Sequence, residues 1–176
     1  MDCKGKAWAY EQGRSVWLHQ GKVRWSIYQF KYHNRRIYGK YYADEMLRLY
    51  GDKIREWGIG LIVPVPLHRS RRKQRGYNQA EIIGKILGEK LGIPFGKKVV
   101  VRKKNTRPQK ILQQKERKKN INGAFQVVQV KQVTKCVLVV DDIYTTGNTI
   151  NEMAKSLREA GAEKVFFLTI SIGQGN

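Results

Sequence analysis

The segment LIVPVP, Leu61–Pro66, is short and nearly all apolar. A strand with one face in water alternates polar and apolar residues, so a run without polar positions belongs inside a parallel sheet covered on both faces. The rest of the chain follows the same plan. A polar, basic loop, LHRSRRKQRGYNQ, leads to a helix, AEIIGKILGEKLG, that stops at Gly92 before Pro94. KKVVVRK supplies a second strand, VLVV (Val137–Val140) a third and KVFFLTISI (Lys164–Ile172) a fourth. Between the last two lies a helix, NTINEMAKSLREAG, with Ile150, Met153, Ala154 and Leu157 on one face. This order predicts an α/β domain with a mainly parallel sheet flanked by helices. Ligands of such sheets bind beyond the carboxyl ends of the strands, where the strand order reverses.

Upstream, Val23, Ile27 and Phe30 recur at helical spacing, and Ala43, Met46, Leu47, Tyr50, Ile54 and Trp57 mark a second helix. The first 20 residues read as an irregular or hairpin-like leader. The connection KNTRPQKILQQKERKKNINGAF is charged, contains Pro108 and lacks apolar periodicity, which predicts partial mobility. A chain of 176 residues is most simply one domain. Neither a long apolar run nor a signal-peptide core is evident, so the expectation is a cytoplasmic protein without membrane insertion. Cys3 and Cys136 give no disulfide framework, and His19, His33 and His68 lack metal-ligand spacing, so no structural zinc is expected. Lys and Arg number 35 against 14 Asp and Glu, a formal net charge of +21. Such an imbalance repels itself unless polyanions are the usual company: nucleic acid, a ribosome surface or phosphorylated metabolites.

Against this basic background an acidic pair stands out. Asp141 and Asp142 follow VLVV, where the crevice should be, and are expected to leave the strand there; TTGNT then runs into a helix. Gly147 permits a tight turn, the first N–H groups of the helix point outward, and Thr145, Thr146 and Thr149 add hydroxyls, which together make a phosphate cradle. Two carboxylates beside an anion cradle need polyols or a cation to face, and a ribose 5-phosphate meets both needs. Neither a Walker A loop nor a Gly-x-Gly-x-x-Gly turn competes with this reading.

The string VLVVDDIYTTGNT resembles the signature with which type I phosphoribosyltransferases bind 5-phosphoribosyl 1-diphosphate (PRPP). VPVPLHRSRRKQRGYNQAE, Val63–Glu81, resembles the hallmark of the ComF family, phosphoribosyltransferase-like proteins linked to bacterial competence. FKYHNRRIYGKYYADEML and RKKNTRPQKILQQKERKKNINGAF extend that similarity over roughly Gly21 to Ile172. The resemblance implies a type I phosphoribosyltransferase fold, with a small helical hood over 21–60 and a core over 61–176. Residues 1–20 would be a leader: many ComF proteins begin with a zinc module of paired Cys-x-x-Cys motifs, and here Cys3 stands with Lys6 where a partner cysteine could be. The leader then reads as a vestige of that module, or the true start lies upstream.

The resemblance further assigns roles. Asp141 and Asp142 would hold the ribose hydroxyls and act as catalytic residues, while Thr145, Thr146, Gly147, Asn148 and Thr149 would wrap the 5-phosphate. Pro66, Leu67, His68 and Arg69 would form the pyrophosphate loop, and Arg107 and Arg117 would lie on a flexible loop that closes over the substrate. Arg69, Arg107 and Arg117 would face the leaving pyrophosphate, and Mg²⁺ would be bound through PRPP rather than at a protein-only site. The implied function is PRPP and Mg²⁺ binding with phosphoribosyl transfer, in the service of DNA uptake and natural transformation. The alternative is a non-catalytic nucleic-acid-binding or adaptor protein with a retained PRPP-sensing pocket.

Two basic clusters bear on that alternative. A charge run is ordinarily a solvated face. Beside a PRPP crevice, Arg71, Arg72, Lys73, Arg75, Lys118 and Lys119 become nucleic-acid candidates, with single-stranded DNA or proteins of the competence machinery as partners. Aromatic residues interleave with basic ones in RWSIYQFKYHNRRIYGKYY, but the spacing of Val23, Ile27 and Phe30 favours a core or hood role.

Overall fold

A computed structural model describes residues 8–103 and 121–173. The elements in chain order are β1 (Gln12–Leu18), α1 (Gly21–Tyr32), α2 (Tyr38–Glu56), β2 (Leu61–Pro64), α3 (Arg69–Arg75) and α4 (Gln79–Leu91). They are followed by β3 (Val100–Arg102), β4 (Phe125–Val127), β5 (Cys136–Tyr144), α5 (Asn148–Glu159) and β6 (Lys164–Ile172). Strands β1, β6, β5 and β2 form one parallel sheet in that order, and a single bridge from Ile62 to Phe95 extends it beyond β2. From β2 the chain crosses through α4 to one side; from β5 it crosses through α5 to the other. The strand order therefore reverses between neighbours β2 and β5, which places the crevice at their carboxyl ends.

The strong apolarity of β5 and β6 has the expected cause. Val137 and Val139, with Val165 and Phe167, face Ile150, Met153, Ala154 and Leu157 of α5. Leu138 and Val140, with Phe166, Leu168 and Ile170, face Met46 and Ile54 of α2 and Ile83 and Leu87 of α4. Successive side chains alternate between two cores, so neither face tolerates a polar run.

Four features depart from the sequence reading. The stretch read as irregular contains β1, an edge strand parallel to β6; its alternating exposure gives it no apolar run to announce it. The basic loop after β2 contains a helix, α3, closed by Gly76 at φ 75°. Strand β3 is not in the core sheet: it pairs antiparallel with β4, and Phe95 takes the place beside β2. Finally, α2 is not hood but a core layer against α4 and the sheet, leaving α1 to reach the crevice. Among the described residues no helix is long and apolar enough to cross a membrane.

The edge strand is held tightly. A Cβ on Gly13 would lie 2.3 Å from the Phe167 ring, so the ring lies across the β1 backbone. Gly13→Ala should therefore destabilise by about 1–3 kcal/mol through overpacking. A lowered urea midpoint with unchanged slope is the expected result, and an unchanged midpoint would remove β1 from the sheet.

Candidate functional site

Asp141 and Asp142 do not leave the strand; β5 continues to Tyr144, and Asp141 pairs with Thr169 of β6. The Asp142 N–H donates to Asp141 Oδ1 at 2.8 Å. Asp142 Oδ2 lies 2.8 Å from the Lys31 ammonium of α1, and the two side chains are only 16% and 12% exposed. Asp141 keeps some surface, yet its carboxyl is surrounded by protein. Burial first, and then the Asp142 carboxylate, push Asp141 up to about 7; the Asp142 N–H, Lys31 and Arg102 pull the other way. Burial and the proximity of Arg71 hold Arg102 down to about 10, opposed by Asp141. Arg71 is likewise lowered by burial and by Arg75, opposed by Tyr32 and Asp142. Three cations from three separate elements thus surround the pair: Lys31 from α1, Arg71 from α3 and Arg102 from β3.

The motif RGYNQ anchors α1, which carries Lys31. Phe30, in the last turn of α1, offers its carbonyl to the Tyr77 hydroxyl and to Gln79 Nε2. A helix end leaves such carbonyls without intrahelical partners, so both bonds satisfy a real vacancy. The Arg75 guanidinium lies 5.0 Å over the Tyr32 ring and donates to the Tyr32 hydroxyl at 3.2 Å. Asn78 caps α4 through the Ala80 N–H and donates to the Val65 carbonyl at 2.9 Å. One short stretch therefore fixes the end of α1, the start of α4 and the exit of β2.

Beyond Tyr144 the chain turns through Thr145 and Thr146 to Gly147, which begins α5 at φ 75°. A Cβ there would sit 2.6 Å from Tyr144 Oη and 3.0 Å from Tyr10 Oη, so space and backbone conformation both require glycine. The two tyrosine hydroxyls bond each other at 2.9 Å, Tyr144 stacks on Phe167, and Asn151 Oδ1 accepts the Ala9 N–H at 2.8 Å. Thr146 Oγ1 is buried and has no hydrogen-bond partner among the described residues. Such a hydroxyl costs stability unless a ligand completes it. Together with the N-terminal end of α5, the turn fits a phosphate.

The structure thus brings Asp141, Asp142, Thr145, Thr146, Gly147, Asn148 and Thr149 together on one strand-turn-helix unit. Pro66, Leu67 and His68 follow β2 and are half-buried, whereas Arg69 is exposed. His68 caps α3, its Nδ1 accepting from the Ser70 N–H. Of the nucleic-acid candidates, Arg71 and Arg75 face inward; Arg72 is exposed and ion-paired with Glu81 at 2.5 Å, and Lys73 is exposed. Arg107, Arg117, Lys118 and Lys119 lie outside the described residues. Lys31 and Arg102 were not legible as site residues, because nothing in their local sequence signals the fold-back that brings them to Asp142 and Asp141. A cavity of about 350 Å³ adjoins the pair at Lys31 and is walled by His19, Arg24, Trp25, Tyr28 and Ile143.

Comparison with known proteins bears on the fold. The family model described as Phosphoribosyl transferase domain matches residues 74–171. Competence protein F of Haemophilus influenzae is 41% identical over 106 residues, which cover 59% of this chain and 46% of that protein. DNA utilization protein YhgH of Escherichia coli is 34% identical over 104 residues, covering 59% and 45% respectively. Competence protein ComFC of Bacillus subtilis is 25% identical over 154 residues, covering 85% and 59%. The chain spans about half the length of the curated relatives it matches.

The Asp141 environment makes a prediction about stability. Its unfolded carboxyl titrates near 3.8 and its folded one at about 7, so between these values only the folded protein holds the proton. Stability then falls as pH rises through this window, and the full cost of the buried charge is present above it. Asp141→Asn should raise the urea midpoint at pH 8 and lose that advantage towards pH 4. A mutant destabilised equally at both pH values would contradict this account of the site.

Proposed function

The chain belongs to the phosphoribosyltransferase domain family, with ComF-type competence proteins among its relatives, and from that premise we propose that it binds PRPP and transfers its phosphoribosyl group. The observation that carries this reading is the buried, unpartnered Thr146 hydroxyl in a turn that only glycine can make, beside the acidic pair. The 5-phosphate would lie in that turn, against the N-terminal end of α5. Asp141 and Asp142 would accept hydrogen bonds from the ribose hydroxyls. Departure of diphosphate leaves positive charge on the sugar and adds negative charge to the leaving group. The two carboxylates would face the first, and Arg71 and Arg102 the second, in place before reaction.

Mg²⁺ would be held through oxygens of PRPP, where it would neutralise charge on the diphosphate. The cavity beside Lys31 would offer room for an acceptor. The names of the relatives, competence and DNA utilization, support a role in DNA uptake and natural transformation. The alternative, a non-catalytic nucleic-acid-binding or adaptor protein that senses PRPP, draws on the exposed basic residues Arg69 and Lys73 of α3.

Calorimetry with PRPP and Mg²⁺ tests the pocket. Loss of two charge-assisted hydrogen-bonding groups in Asp141→Asn/Asp142→Asn should weaken binding by about a hundredfold or more. Undiminished affinity would sink the site assignment. Release of pyrophosphate when PRPP is incubated with a panel of bases and amines would identify an enzyme; PRPP binding without release under every acceptor would favour the sensor.

A further inference from the structure

We propose that Lys31 is a ligand-binding residue of this site: it serves as counter-ion to Asp142 in the free protein, yields that carboxylate to the ribose hydroxyls, and turns to the diphosphate. The inference rests on the PRPP reading. Its basis is the position of the ammonium, 2.8 Å from Asp142 Oδ2, with both side chains largely shielded from water. While that contact persists, this carboxylate oxygen has an occupant and is hindered from receiving a sugar hydroxyl. A carboxylate has acceptor sites for more than one donor, so a bound pentose competes with the lysine for Asp142 and in competing loosens it. A shielded ammonium cannot be left without an anion, because its desolvation is then uncompensated. Its release from Asp142 coincides with arrival of the most highly charged part of the ligand.

The scaffold determines which part moves. The carbonyl of Phe30, the preceding residue, is held by Tyr77 and Gln79, so α1 stays anchored. The lysine stem has four rotatable bonds and also borders the cavity, which gives the ammonium space to swing. Its neighbours are less free to exchange partners. Arg71 is half-buried on α3, and the Arg102 guanidinium lies 5.5 Å over the Phe125 ring. Tyr77 and Gln79 are accordingly positioning residues for Lys31, a chemical use for part of the RGYNQ stretch.

The test compares two ligands that differ only in the diphosphate. PRPP and ribose 5-phosphate, each with Mg²⁺, are titrated into wild type, Lys31→Met and Lys31→Arg, by calorimetry for the first and NMR for the second. Lys31→Met should weaken PRPP about tenfold or more, as expected for a lost hydrogen bond to a charged group, and leave ribose 5-phosphate unchanged or tighter. Lys31→Arg should recover part of the PRPP affinity, which a merely misfolded variant would not. Equal weakening of both ligands, or no weakening of PRPP, overturns the inference while leaving the PRPP reading intact. Wild type that binds PRPP but not ribose 5-phosphate overturns the division of roles on which it rests. Wild type that binds neither overturns the PRPP reading itself.

Discussion

Two adjacent carboxylates at the end of a buried strand repel each other, and the rest of the site answers that repulsion. At about 4 Å and an effective dielectric of roughly 20, two like charges cost on the order of 4 kcal/mol. An exposed ion pair recovers about 1 kcal/mol or less. Surface charges therefore cannot offset the repulsion, however basic the protein. A proton answers part of it, since Asp141 is pushed up to about 7, and cations brought inside answer another part: Lys31 against Asp142, Arg102 near Asp141, and Arg71 between the two neighbourhoods. They come from α1, β3 and α3, elements far apart in sequence. Their placement explains why short connecting pieces on both sides of the sheet converge on the carboxyl end of β5.

The hallmark stretch RGYNQ acquires a different meaning in this light. Read as a basic loop, it offers charges to a polyanion. In the structure its charged member, Arg75, stacks on Tyr32, while Tyr77, Asn78 and Gln79 spend their polar atoms on backbone carbonyls of Phe30 and Val65 and on a helix cap. These are buried bonds between elements, the kind whose loss leaves unsatisfied groups behind. The stretch is thus chiefly architectural, and its chemistry is exercised at one remove, through the lysine that follows Phe30.

Legibility from sequence followed the range of the forces involved. The all-apolar β2 and β5 runs, the amphipathic α5 and the DDIYTTGNT turn were readable because each is a local pattern with a local cause. Strand β1 was not, since an edge strand alternates weakly and is defined by its partner; the Gly13 contact with Phe167 has no sequence signal at all. Strand β3 misled because Val99 to Val101 is as β-prone as a core strand, yet the position beside β2 is filled by Phe95. The acidic pair lies within β5 rather than beyond its end, and of the arginines expected to face the leaving pyrophosphate, Arg69 is exposed while Arg107 and Arg117 lie outside the described residues. Lys31 and Arg102 are products of tertiary fold-back, beyond the reach of any local pattern.

The two ends of the crevice differ in stiffness, and the difference bears on how a ligand is admitted. At the end proposed for the phosphate, Gly147 is boxed in by Tyr144 and Tyr10, whose hydroxyls bond each other, and Tyr144 is stacked on Phe167. Ala9 of the N-terminal segment closes the same corner, its N–H donating to Asn151 of α5. A cradle held by rings and backbone is organised before its ligand arrives, so little ordering entropy is lost there on binding. At the acidic end the contact that must change is a single lysine side chain on an anchored helix. On the proposed reading, the change at the acidic end is a motion of the Lys31 side chain, which borders the cavity. Until that exchange, Asp142 keeps the Lys31 ammonium as its partner in the free protein.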